Sequence, residues 1–229
     1  DGDHEQRPAA QRALDRARRT TCGRLAGWGG AGRGDRRVAP GELDGVTLPD
    51  LQALTVNDER LCGRAADARA VRDALQAGER ALAAARMAGD RREVARMLGY
   101  CAEAERLLGE ENRARARVEE ALAIAGELGD ERLRLANTIR LGELARSRGD
   151  VDTAVRVLLG ALRLAEADPD GYLRDFALQH LGKALWNAGR PREAIPLLEE
   201  ALALRRATGQ ASLAASTEEA LAAARAALS

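Results

Sequence analysis

The residues whose types could support catalysis are few and scattered. The chain contains two histidines, His4 and His180, and three cysteines, Cys22, Cys62 and Cys101. No HExxH, GxSxG or Walker sequence occurs, so the motifs of a zinc hydrolase, a serine hydrolase and a phosphate-binding loop are all missing. No nucleophile, base and orienting group fall into one pattern. We therefore predict a protein that is not an enzyme and that needs no metal or cofactor.

Two further patterns imitate functional motifs. Glu119 and Glu120 are adjacent carboxylates, but we expect them on a helix surface, where glutamate is simply a good helix former. The glycines within residues 27–32 match GxGxxG literally. That match lacks the preceding strand and the following helix that give a dinucleotide-binding loop its mechanism. Neither pattern indicates an active site.

The composition indicates closely packed helices. Hydrophobic residues make up 45% of the 229 residues, yet only 2% are aromatic, and alanine and leucine dominate. Such a composition argues against a β-sandwich, which uses valine, isoleucine and aromatic residues. The 36 basic and 36 acidic residues give no net charge, which argues against bulk attraction to nucleic acid or to an anionic membrane.

The remaining composition bears on location and on arginine chemistry. No apolar run approaches the roughly 18 residues that span a bilayer. The cysteines are too few and too scattered for a disulfide framework, so we expect a reducing cytoplasm. Lys183 is the only lysine. The excess of arginine fits either selection for carboxylate or phosphate binding or the codon bias of a GC-rich genome, and we favour codon bias.

An internal period of 40 residues must position any functional side chains. Three columns of small residues fall in register without a gap: Gly109, Gly149 and Gly189; Ala114, Ala154 and Ala194; and Ala121, Ala161 and Ala201. A fixed period of this size indicates stacked supersecondary units. We therefore predict an all-α fold, an α-solenoid of stacked antiparallel helix pairs.

The period also divides the chain. Residues 1–49 end in Gly- and Arg-rich sequence with little apolar area, so we predict that they are mostly disordered. Residues 50–229 form the solenoid, with a degenerate repeat at 51–89, three clear repeats over 91–210 and a capping helix at 211–228. We expect the first helix of the degenerate repeat at about 51–69. Asp90 and Asp130 are placed to cap the helices that follow them.

The clearest repeat resembles the tetratricopeptide repeat (TPR) family. It reads LQHLGKALWNAGRPREAIPLLEEAL and carries the family's small and bulky positions: Leu181, Gly182, Gly189, Ala194, Leu198 and Ala201. Small residues let the two helices of a pair approach closely. HEAT repeats share a period near 40, whereas the usual TPR period is about 34. The Gly and Ala columns favour a TPR of long-repeat bacterial type.

This resemblance implies a concave groove lined by the first helix of each repeat. The groove residues it implies are Arg96, Tyr100, Glu103, Arg106, Arg140, Glu143, Arg146, Phe176, Gln179, His180, Lys183, Trp186 and Asn187, with Ser216 and Glu219 on the capping helix. Because the basic side chains outnumber the acidic ones, we expect a peptide or protein partner with an acidic segment. Alternatively, Phe176 and Trp186 pack between repeats and the Arg–Glu pairs are solvated surface pairs.

The sequence therefore predicts a protein–protein interaction scaffold. The alternative is the sensor or assembly arm of a larger multidomain bacterial transcriptional regulator, since similar repeats occur there. Such an arm acts by intramolecular contact or self-association, so oligomerisation stays open. A basic tail at residues 7–37 could bind nucleic acid. The interspersed acidic residues and neutral overall charge argue against that function.

Overall fold

The computed structural model describes residues 42–43 and 46–229. Most of the predicted disordered segment, 1–49, lies outside these residues. At its described end, β1 (Glu42–Leu43) pairs antiparallel with β2 (Val46–Thr47). Leu48 follows as a buried residue of the hydrophobic core. Leu48 thus attaches the end of that segment to the helical core.

Beyond these strands, the described residues are mainly helical. The α-helices are α1 (Ala68–Ala88), α2 (Arg91–Leu107), α3 (Glu111–Leu128), α4 (Glu131–Ser147), α5 (Val151–Ala167), α6 (Arg174–Asn187), α7 (Pro191–Ala207) and α8 (Ala211–Ala226). Each packs against the next, as the predicted all-α solenoid of antiparallel pairs requires. Within the described part of the chain, none is long and apolar enough to cross a membrane.

The residues at the helix ends explain why the helices stop and start on a regular period. Gly109 and Gly149 each have a φ of 80°, a left-handed conformation that glycine adopts without steric cost. Asp90 accepts a hydrogen bond from the Glu93 amide at 2.9 Å, and Asp130 accepts one from the Leu133 amide at 3.0 Å. The two predicted aspartate caps are confirmed.

Close crossing within a helix pair explains the small-residue columns. A Cβ atom added to Gly182 would lie 2.7 Å from Cγ of Leu198 on the neighbouring helix. One repeat earlier, a Cβ atom added to Gly142 would likewise collide with the side chain of Leu158. A side chain at either glycine would push the pair apart, so the glycines set the interhelical distance. The packing reason inferred from the sequence is confirmed.

The helices form an inner and an outer set. The inner helices α2, α4, α6 and α8 each contact the next inner helix, in addition to their own partners. The outer helices α1, α3, α5 and α7 make no comparable contacts with one another. A stack whose inner members lie closer together curves towards them. We call the resulting surface, formed by α2, α4, α6 and α8, the concave face.

The predicted first helix of the degenerate repeat is wrong. Residues 51–67 contain a short 3-10 helix (Leu51–Leu54) and two antiparallel strands, β3 (Thr55–Asn57) and β4 (Gly63–Ala65), before α1 begins at Ala68. We call residues 55–65 the hairpin. Leu51 is buried in the core with α1 and α2, which anchors the chain before the hairpin.

A buried arginine fixes the capping helix. Arg205 of α7 is fully buried, and its Nη1 donates to the carbonyl oxygen of Leu213 at 3.0 Å and to Oγ1 of Thr217 at 2.8 Å, both on α8. Its Nε donates to Asp175 of α6 at 3.0 Å. One side chain therefore joins the last three helices.

Candidate functional site

All thirteen candidate residues lie on the inner helices α2, α4 and α6, but many are not open to solvent. Buried among them are Tyr100, Arg106, Glu143, Arg146, Gln179 and Lys183. The half-buried ones are Arg96, Glu103, Arg140, Phe176, His180, Trp186 and Asn187. The expectation of outward-facing side chains is therefore wrong for six positions. The hairpin covers Arg106 and Arg146. The Tyr100 hydroxyl contacts Pro49, and Gln179 lies against Arg205 and Thr217.

The hairpin is shaped by one aspartate. Asp58 accepts hydrogen bonds from the amides of Arg60 at 2.9 Å and Cys62 at 2.8 Å, and from Nε of Arg64 at 3.1 Å. Burial works to raise the pKa of Asp58, but these hydrogen bonds outweigh it and the pKa is lowered. Leu61 has a φ of 57°, which lets the chain reverse. The turn thus presents consecutive carbonyl oxygens to the solenoid.

Two arginines of the concave face bind those oxygens. Arg146 donates from Nη1 to the carbonyl oxygen of Arg60 at 3.0 Å and from Nη2 to that of Leu61 at 2.8 Å. Arg106 donates from Nη1 to the carbonyl oxygen of Gly63 at 3.1 Å. The planar guanidinium suits such paired contacts. Positions 106 and 146 are one repeat period apart, so the repeat places two equivalent donors along one segment.

Each of these arginines is held by a carboxylate one helical turn earlier. Glu103 accepts from Arg106 at 2.7 Å, and Glu143 accepts from Arg146 at 2.9 Å. Burial would raise the pKa of Glu143, but Arg146 and His180 hold it well below its usual range. The same pairing raises the pKa of Arg146 against the effect of burial. The pairs are charged and pre-oriented, which contradicts the alternative of solvated surface pairs at these two positions.

Further contacts extend the covered area in both directions. The Tyr100 hydroxyl donates to the carbonyl oxygen of Pro49 at 2.8 Å. Nδ2 of Asn57 donates to Oε2 of Glu219 on α8 at 2.6 Å. The segment from residue 49 to residue 63 therefore crosses the inner helices from α2 to α8.

Two cations of the concave face differ from the paired arginines Arg106 and Arg146. Among the described residues, no carboxylate lies within ion-pair distance of Lys183, and none lies within that distance of Arg140. Arg140 reaches only Oδ1 of Asn137, at 3.4 Å. Burial, reinforced by Arg146, lowers the pKa of Lys183 to about 8, and burial also lowers the pKa of Arg140.

Phe176 and Trp186 differ in what is known of their surroundings in the last repeat. Phe176 stacks on His180 with ring centroids 6.3 Å apart, and the Arg205 guanidinium lies 4.9 Å from the Phe176 centroid. Phe176 therefore helps to pack the last repeat, as the alternative interpretation held. Trp186 is half-buried near the end of α6.

Sequence reasoning missed the hairpin as part of the site. The β-branched pair Thr55–Val56 and the turn-forming sequence Asn57–Asp58 are signals that could have indicated a strand and a turn. They are flanked by Ala, Leu and Arg, which favour a helix. The local composition therefore concealed the segment that covers the predicted groove.

Among the described residues, the potential metal ligands form no cluster and the two cysteines are buried. In the part of the chain that the structure describes, no three His, Cys, Asp or Glu side chains come together in a way that could hold a metal ion. Cys62 and Cys101 are buried free thiols. Burial raises the pKa of both, and that of Cys101 to about 11, so they are protonated rather than nucleophilic. The concave face can hold a polar chain by hydrogen bonds and charge.

The comparisons with known proteins agree with this architecture. Residues 133–207 match the profile of the tetratricopeptide repeat family, and no curated protein matches the chain. A crystal structure of a variant of a putative kinesin light chain with nearly identical TPR-like repeats, from Podosopora anserina, is similar to this chain. It has 21% identity and a TM-score of 0.51 over 69% of this chain and 78% of that one.

Two other solved structures show weaker similarity. Another crystal structure of the same putative kinesin light chain has 20% identity and a TM-score of 0.47, over 70% of this chain and 88% of that one. A de novo designed helical repeat protein has 20% identity and a TM-score of 0.40, over 71% of this chain and 91% of the designed chain. Residues 133–207, which extend from α4 to α7, therefore match the tetratricopeptide repeat family, and the stacked helix pairs form an all-α solenoid.

Proposed function

We propose that this protein is a non-catalytic interaction scaffold that binds a segment of a partner protein on its concave face. One observation carries the proposal: two arginines of the concave face donate hydrogen bonds to main-chain carbonyl oxygens of the hairpin. Arg106 binds the oxygen of Gly63, and Arg146 binds those of Arg60 and Leu61. Every polypeptide presents such oxygens. A surface that already holds one stretch of chain in this way has the donors to hold another.

The partner segment is acidic. Glu103 and Glu143 are each committed to an arginine of their own helix, whereas Arg140 and Lys183 have no carboxylate partner among the described residues. A partner carboxylate would remove the cost of these unpaired charges and form charge-assisted hydrogen bonds. Because the sites lie in a concave, partly desolvated surface, each contact is worth more than an exposed ion pair.

A second function, that of an arm within a larger regulator, is supported by the intramolecular contact itself. The hairpin shows that the concave face binds a segment of its own polypeptide. In such a regulator the occupant would come from another domain of the same chain or from a second copy. A reading frame that also encodes an ATPase or DNA-binding domain would favour this function. Both functions suit a reducing compartment such as the cytoplasm, given the free thiols of Cys62 and Cys101.

A peptide-display selection tests the scaffold function. We would select a random 12-residue library against the full chain, against Arg140→Ala/Lys183→Met, and against the control Arg115→Ala, which lies exposed on the outer helix α3. We expect aspartate and glutamate to be enriched with the full chain and with the control. Loss of both cations should raise the Kd of the selected peptides tenfold or more, which corresponds to about 1.4 kcal/mol of binding free energy.

Two results would count against the proposal. Selected peptides without acidic enrichment would reject the acidic partner, and equal binding by Arg140→Ala/Lys183→Met would reject these cations as the site. Tyr100 and Arg146 are unsuitable for this test. Both hold the protein's own segment, so their loss would change the fold together with the surface.

A further inference from the structure

The hairpin touches more of the solenoid than a terminal cap requires. In a repeat array each unit contacts only its neighbours, so a cap of the first repeat needs contacts to that repeat alone. Here Arg106 binds the hairpin from α2, Arg146 binds Leu61 from α4, and Asn57 reaches Glu219 on α8. A peptide bound along the groove would make the same series of contacts.

The contacts that hold the hairpin are directed mainly at its backbone. Arg106, Arg146 and Asn187 all donate to main-chain carbonyl oxygens, with Asn187 reaching the oxygen of Arg60 at 3.3 Å. Backbone recognition does not depend on the sequence of the occupant. The same donors can therefore bind a different segment once the hairpin has left.

The hairpin has little to stabilise it apart from the concave face. Its strands are three residues long, and an isolated two-stranded hairpin is marginally stable at best. Val56 is 52% exposed, whereas Leu61 and Cys62 are buried. Leu48 and Leu51, which pack into the helical core, precede the hairpin and would remain in place if it opened. Regions with few buried apolar contacts open locally at low free energy.

We propose that the hairpin is an intramolecular ligand of the concave face, and that an acidic partner segment binds by displacing it. This inference rests on the proposed function for the identity of the partner, but not for the role of the hairpin. Tethering at both ends gives the hairpin an effective concentration in roughly the millimolar range. The apparent Kd for a partner therefore equals the intrinsic Kd divided by the fraction of molecules in which the hairpin is open.

An opening variant follows from the close packing of Gly63. A Cβ atom there would lie 2.8 Å from Cγ2 of Thr55 on the other strand and 3.1 Å from Nη2 of Arg106, so Gly63→Val disrupts the pairing of the two strands and crowds the Arg106 contact. The matched control is Gly126→Val on α3, where a Cβ atom meets nothing within 4 Å. If Gly63→Val fails to fold, Asn57→Ala/Arg60→Ala removes polar contacts without a steric clash.

The probe is a fluorescein-labelled synthetic peptide with the sequence of residues 54–66, carrying serine at the position of Cys62. We expect it to bind the Gly63→Val protein at least tenfold more tightly than the wild type or the Gly126→Val control. Circular dichroism establishes that all three proteins are equally helical. Equal binding by all three, or no binding by either folded opening variant, would overturn the proposal.

A locked variant gives the opposite test. Asn57 and Glu219 are hydrogen bonded across the concave face, so Asn57→Cys/Glu219→Cys in a Cys22→Ser background can be joined by a short bismaleimide. Cys62 and Cys101 are buried and should not react. We expect the joined protein to lose binding of the probe and of display-selected acidic peptides, while the same protein without the linker keeps it. Unchanged binding after linking would overturn the proposal.

The two proposals fail in distinguishable ways. If the probe binds the opening variant but no acidic peptide is selected, the hairpin is an intramolecular ligand and the proposed acidic partner is wrong. If acidic peptides bind the linked and unlinked proteins equally, the scaffold function stands and displacement of the hairpin is wrong.

Discussion

Arg146 on α4 donates a hydrogen bond of 2.8 Å to the carbonyl oxygen of Leu61, a residue 85 positions earlier in the chain. The arginine is fully buried, and its charge is compensated by Glu143 at 2.9 Å. This one contact explains why a residue predicted to face a partner is inaccessible. It also shows what kind of group the concave face binds, namely the main chain of an extended or turning segment.

The Glu143–Arg146 pair should be important for stability. Arg146→Met leaves the buried Glu143 carboxylate without its main partner, and breaking a buried pair costs about 3–5 kcal/mol. We expect urea denaturation to show a loss in this range, and Glu143→Gln/Arg146→Met to recover part of it. The exposed pair Arg115–Glu119 is the control, where Arg115→Met should change stability far less because the pair is solvated. Equal effects at the two sites would contradict this description of the concave face.

Lys183 should lower stability at neutral pH. It is 3% exposed and its pKa is lowered to about 8, so the charged form is disfavoured in the folded state. The unfolded chain, with a pKa of about 10.4, binds more protons between these values. The contribution of Lys183 to stability must therefore rise with pH from about 8 to 10.4.

A variant isolates this effect from other titrating groups. We expect Lys183→Met to be more stable than the wild type at pH 7, by roughly 1–3 kcal/mol, and the difference to shrink towards pH 10. Chemical denaturation at several pH values measures it. Lys183→Met should also weaken the binding of acidic peptides. A variant that is less stable at pH 7, or a difference independent of pH, would show that the ammonium is not unpaired and desolvated.

Replacing a helical glycine should destabilise the protein at a close helix crossing and stabilise it at an open position. Gly182→Ala places a Cβ atom 2.7 Å from Cγ of Leu198 and should cost about 1–3 kcal/mol. Gly160→Ala on α5 meets nothing within 4 Å and should stabilise the helix by about 0.5–1 kcal/mol. Thermal denaturation compares them. A neutral Gly182→Ala would refute the packing explanation of the small-residue columns.

These columns explain why the fold could be predicted from the sequence. Gly142 and Gly182 recur on the 40-residue period because each repeat needs the same close approach of two helices, a local requirement that leaves a periodic trace. The predicted caps Asp90 and Asp130 are likewise local. The hairpin could not be predicted in the same way. Its conformation depends on contacts such as that between Leu61 and Arg146, which join distant parts of the chain.

The exposure of the candidate residues could not be predicted from the sequence. Helical spacing correctly places Arg106, Glu143 and Arg146 on the inner helices. It carries no information about what covers them, because burial of these side chains is produced by residues 49–63 rather than by their own helices. Arg140 and Lys183, which have no carboxylate partner among the described residues, cannot be told from the paired cations by their sequence positions alone.

The attachment of the capping helix should depend on one hydroxyl. Thr217 is fully buried and accepts from Arg205 at 2.8 Å. Thr217→Val removes one acceptor of the buried Arg205 and the hydroxyl that donates to Gln179, and such a loss costs about 1–3 kcal/mol. We expect faster hydrogen exchange across α8 and little change in α4. Ser216→Ala, one position away, is the control. If α8 of Thr217→Val were as protected from exchange as in the wild type, the hydrogen bonds of Arg205 would not be what holds this helix.

Hydrogen-exchange mass spectrometry of the full chain, with and without a display-selected acidic peptide, tests the central claim most directly. We predict that the bound peptide lowers the protection of the hairpin amides, residues 55–65, while protection of α4 and α6 around Arg140 and Lys183 rises. Protection confined to the outer helices, with the hairpin and inner helices unchanged, would contradict binding on the concave face.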